Sequence, residues 1–235
     1  PKEPPLDGVH LALADLNRRW SEAEARGPGT DDGDPYLTRA VRHYRAIMDM
    51  GTARPGLMEA AGQALEGLLE PQIELAIGNR YLPGSDIRIA YRTRNIRELT
   101  LTLRGLAPGS ESSQLDFAEL SSLLHDEDAA GGERVHEERF AVESRYPHDW
   151  QEGTVRPGIT LPAGWYGVTL EGDGLVREDI LLVTPLEVAA LARRNGDLLV
   201  WVCDGETGQP YPGAQASVLD ADGEETGSFE TDAEG

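Results

Sequence analysis

The apolar positions of this chain change period once. Before residue 72 they recur every three or four residues, and after it they alternate. Val9, Leu13, Leu16 and Trp20, with Asp15, Asn17, Arg18 and Arg19 between them, predict a first helix. The loop Arg26 to Gly33 follows. Asp34-Pro35 then reads as an N-cap with proline at the first helical position. Leu37, Val41, Tyr44 and Met48 give the apolar face of this second helix, and Gly51 to Pro55 breaks it. Leu57, Ala61, Leu65 and Leu68 give a third, ending before Pro71. No motif repeats between helices two and three, so a small bundle or extension is expected over 1–71 rather than a solenoid.

From Gln72 the pattern is that of half-buried antiparallel strands. Ile73, Leu75 and Ile77 alternate with polar or small residues. Ile87, Ile89 and Tyr91 share one face, with Arg88 and Arg92 on the other. Leu99, Leu101 and Leu103 come next, then an acidic, Ser-rich insertion, Ala107 to Gly132, with room for a short amphipathic helix. Phe140, Val142 and Ser144 resume strand character. Tyr166, Val168 and Leu170 alternate with Trp165, Gly167 and Thr169, and a hairpin turn at Gly172 to Gly174 leads to a last strand, Ile180 to Val183. Short strands separated by turn residues predict an antiparallel β-sandwich over 72–185.

Residues 186–235 read as the start of a second sandwich. Leu186 to Leu191 and Leu198 to Cys203 flank the hairpin signal Asn195-Gly196. Asp204, Gly205, Gly208, Pro210 and Pro212 crowd turn residues together. Ala214 to Leu219 and Thr226 to Thr231 flank a second hairpin signal, Asp222-Gly223. Three short strands cannot close a core alone. The chain begins Pro-Lys-Glu and ends after a turn, and we expect it to be a piece of a longer polypeptide. The expected fold class is mainly β, with a helical N-terminal segment.

Charge removes partners from this picture. With 21 Lys and Arg against 42 Asp and Glu, the net charge of −21 repels nucleic acid and anionic membrane. No apolar run is long enough to span a bilayer. Cys203 is the single cysteine, set at the end of an apolar run, and reads as a small buried hydrophobe.

Candidate chemistry is thin. His125-Asp126-Glu127-Asp128 and His136-Glu137-Glu138 hold metal-ligand types at no recognised spacing, and read as solvated charge runs. Asp220 to Glu224 starts like a calcium loop, but its twelfth position is Thr231 where a bidentate Glu is required, so a plain hairpin is expected. No Gly-x-Ser-x-Gly and no phosphate-binding Gly loop occurs. Trp150, Trp165, Tyr166 and Trp201 could form a sugar platform. Core packing is expected for Trp165 or Tyr166 and for Trp201, leaving Trp150 as the exposed aromatic. No residue is assigned a catalytic, cofactor-binding or metal-ligating role, and no cofactor is expected.

Three segments resemble one family. Leu82-Pro83-Gly84 with IRIAYRTRN resembles the strand entry of a macroglobulin-type sandwich. Leu161 to Gly174, LPAGWYGVTLEGDG, resembles the late strand of that domain. LLVWVCDGETGQPYPGAQASVLDADGE resembles the opening of the domain after it. Together these cover about residues 72–235 and point to the bacterial alpha-2-macroglobulin-like proteins. The resemblance implies a large exported protein, periplasmic or cell-envelope associated, that entraps proteases after a bait region is cut. It also implies partners: the remaining domains of the parent chain, and proteases through it. The family's thioester motif, Cys-Gly-Glu-Gln, does not transfer. Cys203 is followed by Asp204, Gly205 and Glu206, with Glu in place of the needed Gln. The expected role is a non-catalytic framework, not an enzyme. The alternative is an adhesion or ligand-binding module of a surface protein, and a carbohydrate-active enzyme fragment comes third.

Overall fold

The computed structural model describes residues 6–24, 36–78, 80–106, 133–144, 148–192, 198–220 and 225–235. Asp34-Pro35, the insertion 107–132 with His125 to Asp128, Asn195-Gly196 and Asp222-Gly223 lie outside these residues.

Three helices come first: α1 (Leu6–Glu24), α2 (Tyr36–Asp49) and α3 (Pro55–Leu69). α2 buries Leu37, Ala40, Val41, Tyr44 and Ile47, joined by Ala61 and Leu68 of α3 and Ala14 of α1. Met48 stays exposed, because Ile47 takes the core position. Proline opens α3 at its first turn, where a missing N–H costs nothing.

α1 departs from expectation. Its stripe Leu6, Val9, Leu13, Leu16 and Trp20 is 38–68% exposed. The edge turned to α2 buries Asp7, Ala14 and Asn17 instead. Polar contacts made by Asp7, His10 and Asp15 select that edge over the apolar one.

The sandwich follows. Its smaller sheet has the order β1 (Gln72–Ile77), β3 (Ile89–Arg94), β6 (Gln151–Val155), all antiparallel. Its larger sheet has the order β2 (Arg80–Tyr81), β8 (Leu175–Val183), β7 (Gly164–Gly172), β4 (Glu98–Leu106), β5 (Arg134–Ala141). Among the described strands only the two-residue β2 runs parallel to its neighbour. Ile73, Ile89 and Val155 on one inner face meet Leu99, Leu101, Leu103, Val168, Leu170 and Leu181 on the other, forming one core. Gly153 pairs with Tyr91 across the smaller sheet, and a Cβ there would lie 2.3 Å from the Tyr91 ring, so only glycine leaves the tyrosine its place. Asp173 (φ 47°) and Gly174 (φ 77°) make the hairpin turn between β7 and β8.

Four strand readings need correction. β5 ends at Ala141, before Val142 and Ser144, and begins at Arg134. It is an edge strand in which Arg134, Glu137, Glu138 and Arg139 break up the apolar alternation, which hides its period. β8 starts at Leu175, five residues earlier than read. β2 and β6 were not anticipated, since Arg80-Tyr81 and QEGTV carry no apolar alternation.

Residues 186–235 form two two-stranded ribbons. β9 (Leu186–Ala192) pairs with β10 (Leu198–Asp204), and β11 (Gln215–Leu219) pairs with β12 (Glu225–Glu230). Cys203 is buried as expected. Trp201 is not: it is 40% exposed, with Nε1 donating to the Glu234 carbonyl.

Candidate functional site

The richest polar constellation lies where α3 meets the sandwich. A helix C-terminus leaves carbonyls without intrahelical donors. Here the β3–β4 turn supplies them. Asn95 Nδ2 donates to the Leu68 carbonyl at 2.7 Å and to that of Glu70 at 3.1 Å. Arg94 Nη2 donates to the Gly67 carbonyl at 2.7 Å, placing a cation at the negative end of the helix dipole. Asn95 has φ 59°, a left-handed conformation that asparagine tolerates better than most residues.

These contacts orient the next one. With Nδ2 spent on α3, Asn95 Oδ1 faces His148 Nδ1 at 2.7 Å and accepts a hydrogen bond from it. Burial, then Arg45 and Arg94, hold the His148 pKa below the ordinary imidazole value. The neutral ring with Nδ1–H is therefore the bonded form. Beside it, burial lifts the Asp149 carboxyl to about 6. Trp150 closes the cluster. Its ring centroid lies 4.4 Å from the Arg92 guanidinium and 5.5 Å from that of Arg94, so it is half-buried rather than the exposed aromatic expected. Arg92 also bridges Glu74 at 3.6 Å and Glu152 at 3.5 Å. Next to this row, Ala76, Ala90 and Thr154 leave a shallow trough on the outer face of the smaller sheet.

The raised Asp149 pKa has a measurable consequence. The folded state keeps this proton longer than the unfolded chain, so stability falls as pH rises from the ordinary carboxylate value to about 6. Asp149→Asn removes the penalty. With the partial solvent access of this carboxyl discounted, urea melts at about pH 7.5 should show a gain of about 1 kcal/mol, vanishing below pH 4.

A second junction joins the sandwich to the ribbons. Only Thr184 and Pro185 separate β8 from β9. Gly205 N–H donates to the Pro185 carbonyl at 2.7 Å, and a Cβ on Gly205 would come within 2.9 Å of both Arg80 and Leu82. Arg80 also lies 3.5 Å from Glu187. Asp204 fixes the adjoining turn: its Oδ1 accepts from the backbone of Glu206 and Thr207 and from the Thr207 hydroxyl, which lowers its pKa.

The other candidates stand apart. His136 sits 3.5 Å from Glu138 on β5, and no group of three metal-ligating side chains occurs among the described residues. Trp165 and Tyr166 lie on β7, with Tyr166 buried and its hydroxyl donating to the Pro162 carbonyl. The four aromatics do not form one platform. The junction residues Arg94, Asn95 and Asp149 were missed. The signal available was Asn95 in a turn directly after a strand, a common site of left-handed backbone.

No protein-family model matches the chain, and no curated protein sequence does. Among solved structures it is similar to native alpha-2-macroglobulin from Escherichia coli spanning domains MG0-NIE-MG1. The identity is 18% and the TM-score 0.56, over 71% of this chain and 56% of that one. A structure of domains NIE-MG1 of the same protein aligns at 15% identity and TM-score 0.47, over 71% and 85%. The native conformation of E. coli alpha-2-macroglobulin aligns at 16% and 0.37, over 71% and 11%. The fold is that of macroglobulin-type β-sandwich domains, as the three sequence segments implied. No helix is long and apolar enough to cross a membrane among the described residues.

Proposed function

We propose that this chain is a non-catalytic framework of an exported, alpha-2-macroglobulin-like protein that traps proteases. The observation that carries the reading is the fold likeness to E. coli alpha-2-macroglobulin at TM-score 0.56. The junctions support it, because both hold neighbouring units by hydrogen bonds to backbone carbonyls, from Arg94 and Asn95 to the end of α3 and from Gly205 to Pro185. The proposed units are 1–71, 72–185 and 186–235. The third is part of a second sandwich: Val188 and Leu198 on one face and Leu191 and Leu199 on the other are 44–62% exposed, so both faces of the β9–β10 ribbon need cover.

The test is a protease challenge of the natural polypeptide that carries these residues. A framework in a trap gives a cut followed by a changed sedimentation coefficient and a fall in the protease's activity on protein substrates. Cleavage that leaves both shape and protease activity unchanged overturns the reading.

A further inference from the structure

The edge of α1 that docks on α2 is built from polar groups. Asp7, the buried end of that edge, accepts from the backbone N–H of Arg54 at 3.1 Å and from Arg54 Nε at 3.0 Å. The Tyr44 hydroxyl donates to Asp15 Oδ1 at 2.6 Å. Between them, His10 of α1 and His43 of α2 face each other with 2.9 Å between their Nδ1 atoms.

The geometry of this pair is specific. The ring centroids are 5.2 Å apart and the nitrogens 2.9 Å. The difference is two imidazole radii, so both Nδ1 atoms lie on the line between centroids. Each nitrogen points its lone pair or its proton directly at the other. A shared divalent ion would need both rings turned toward a common apex off that line, as tetrahedral ligands are. The contact is an N–H···N hydrogen bond.

Such a bond accepts one proton between the rings and no more. The neutral pair has it: one ring protonated on Nδ1, the other on Nε2. Adding one proton keeps the bond, with one ring cationic. A second added proton puts two N–H donors and two positive charges face to face. Arg42 is a further cation acting on His43, while Asp7 is held by Arg54 and Asp15 is bonded to Tyr44. The apolar hold on α1 is partial: Ala14 and part of Leu11 join the helical core and Trp20 meets the Tyr36 ring edge-on at 5.5 Å, while Leu6, Val9, Leu13 and Leu16 stay exposed.

We propose that His10 and His43 are a proton-operated latch, holding α1 on α2 while one proton is shared between their Nδ1 atoms and releasing it when both rings are charged. Burial, then His10 and Arg42, keep the His43 pKa below its ordinary value, so the folded seam favours the uncharged ring. The unfolded seam binds more protons, and docking weakens as pH falls through and below the ordinary imidazole value.

Two measurements on the 235-residue chain test this. Long-range proton–nitrogen NMR at about pH 7.5 should find one of the two rings protonated on Nδ1 and the other on Nε2. Two Nε2-protonated rings overturn the latch. Hydrogen exchange, corrected for intrinsic rates, should show α1 protection dropping about tenfold or more between about pH 7.5 and 5 while β4 and β7 hold theirs, tenfold being the effect of one pKa unit. In the double variant His10→Asn, His43→Asn, amides stand where the Nδ1 atoms were and cannot titrate. Its α1 protection should not change with pH. A flat profile in the parent chain, or an undiminished pH response in the double variant, overturns the proposal.

Discussion

Leu101→Ala is expected to cost about 2–5 kcal/mol of unfolding free energy, the range for emptying a fully buried leucine site. Leu101 is 0% exposed at the middle of β4, with Leu170 of β7 and Glu138 of β5 directly opposite. Its side chain belongs to the core shared with the β1–β3–β6 sheet. Flanking strands paired on both sides limit how far the backbone can move in to fill the space, so the loss should lie toward the upper end. The check is a denaturant melt. The midpoint should fall while the slope, which follows the surface exposed on unfolding, stays the same.

Asn95→Ala should rank next, with a loss of about 2–4 kcal/mol built from two causes. Alanine at φ 59° meets the steric cost of left-handed backbone, about 1–2 kcal/mol. The Leu68 and Glu70 carbonyls and His148 Nδ1 also lose their shared partner, at about 1 kcal/mol for each bond that water does not replace. Asn95→Gly separates the causes, since glycine accepts the backbone but lacks the amide. It should recover part of the loss only. The damage should be local: limited proteolysis near Pro71 should accelerate in both variants, and the β4–β7 amides should stay protected. Equal loss of protection in the sandwich would refute this placement.

The sequence carried the fold where burial is one-sided. Leu99, Leu101 and Leu103, or Tyr166, Val168 and Leu170, announce an inner face because they are buried while Thr100, Thr102, Trp165 and Thr169 between them are half-buried. It fell short where a strand's partners, rather than its side chains, define it. β6 is QEGTV and includes a glycine whose role is to make room for Tyr91, a fact of the neighbouring strand alone. β5 is an edge whose charges carry no inward period. The α1 stripe misled for a different reason. An apolar stripe at helical spacing marks a face fit for burial, but His10 and Asp15 bind α1 to α2 and Asp7 binds it to Arg54 at the start of α3. The junction was illegible because it depends on carbonyls of α3 meeting a turn 25 or more residues later. Nothing in either segment read singly reports that meeting.

The connection between β8 and β9 gives the molecule a defined path for force. Tension applied to the ribbons must enter through Pro185 and Thr184 into β8, the strand clasped by β7 along nine residue pairs and by β2 on its other side. Pulled along its axis, β8 loads those rungs in shear, all together, instead of unzipping them one by one. Gly205, seated against Arg80 and Leu82, passes sideways load to β2 at the same place. The sandwich should therefore behave mechanically as the stiff member, with load from the ribbons shared between β8 and β2 at a joint that Gly205 and Thr184 pin by hydrogen bonds to the Pro185 and Tyr81 carbonyls.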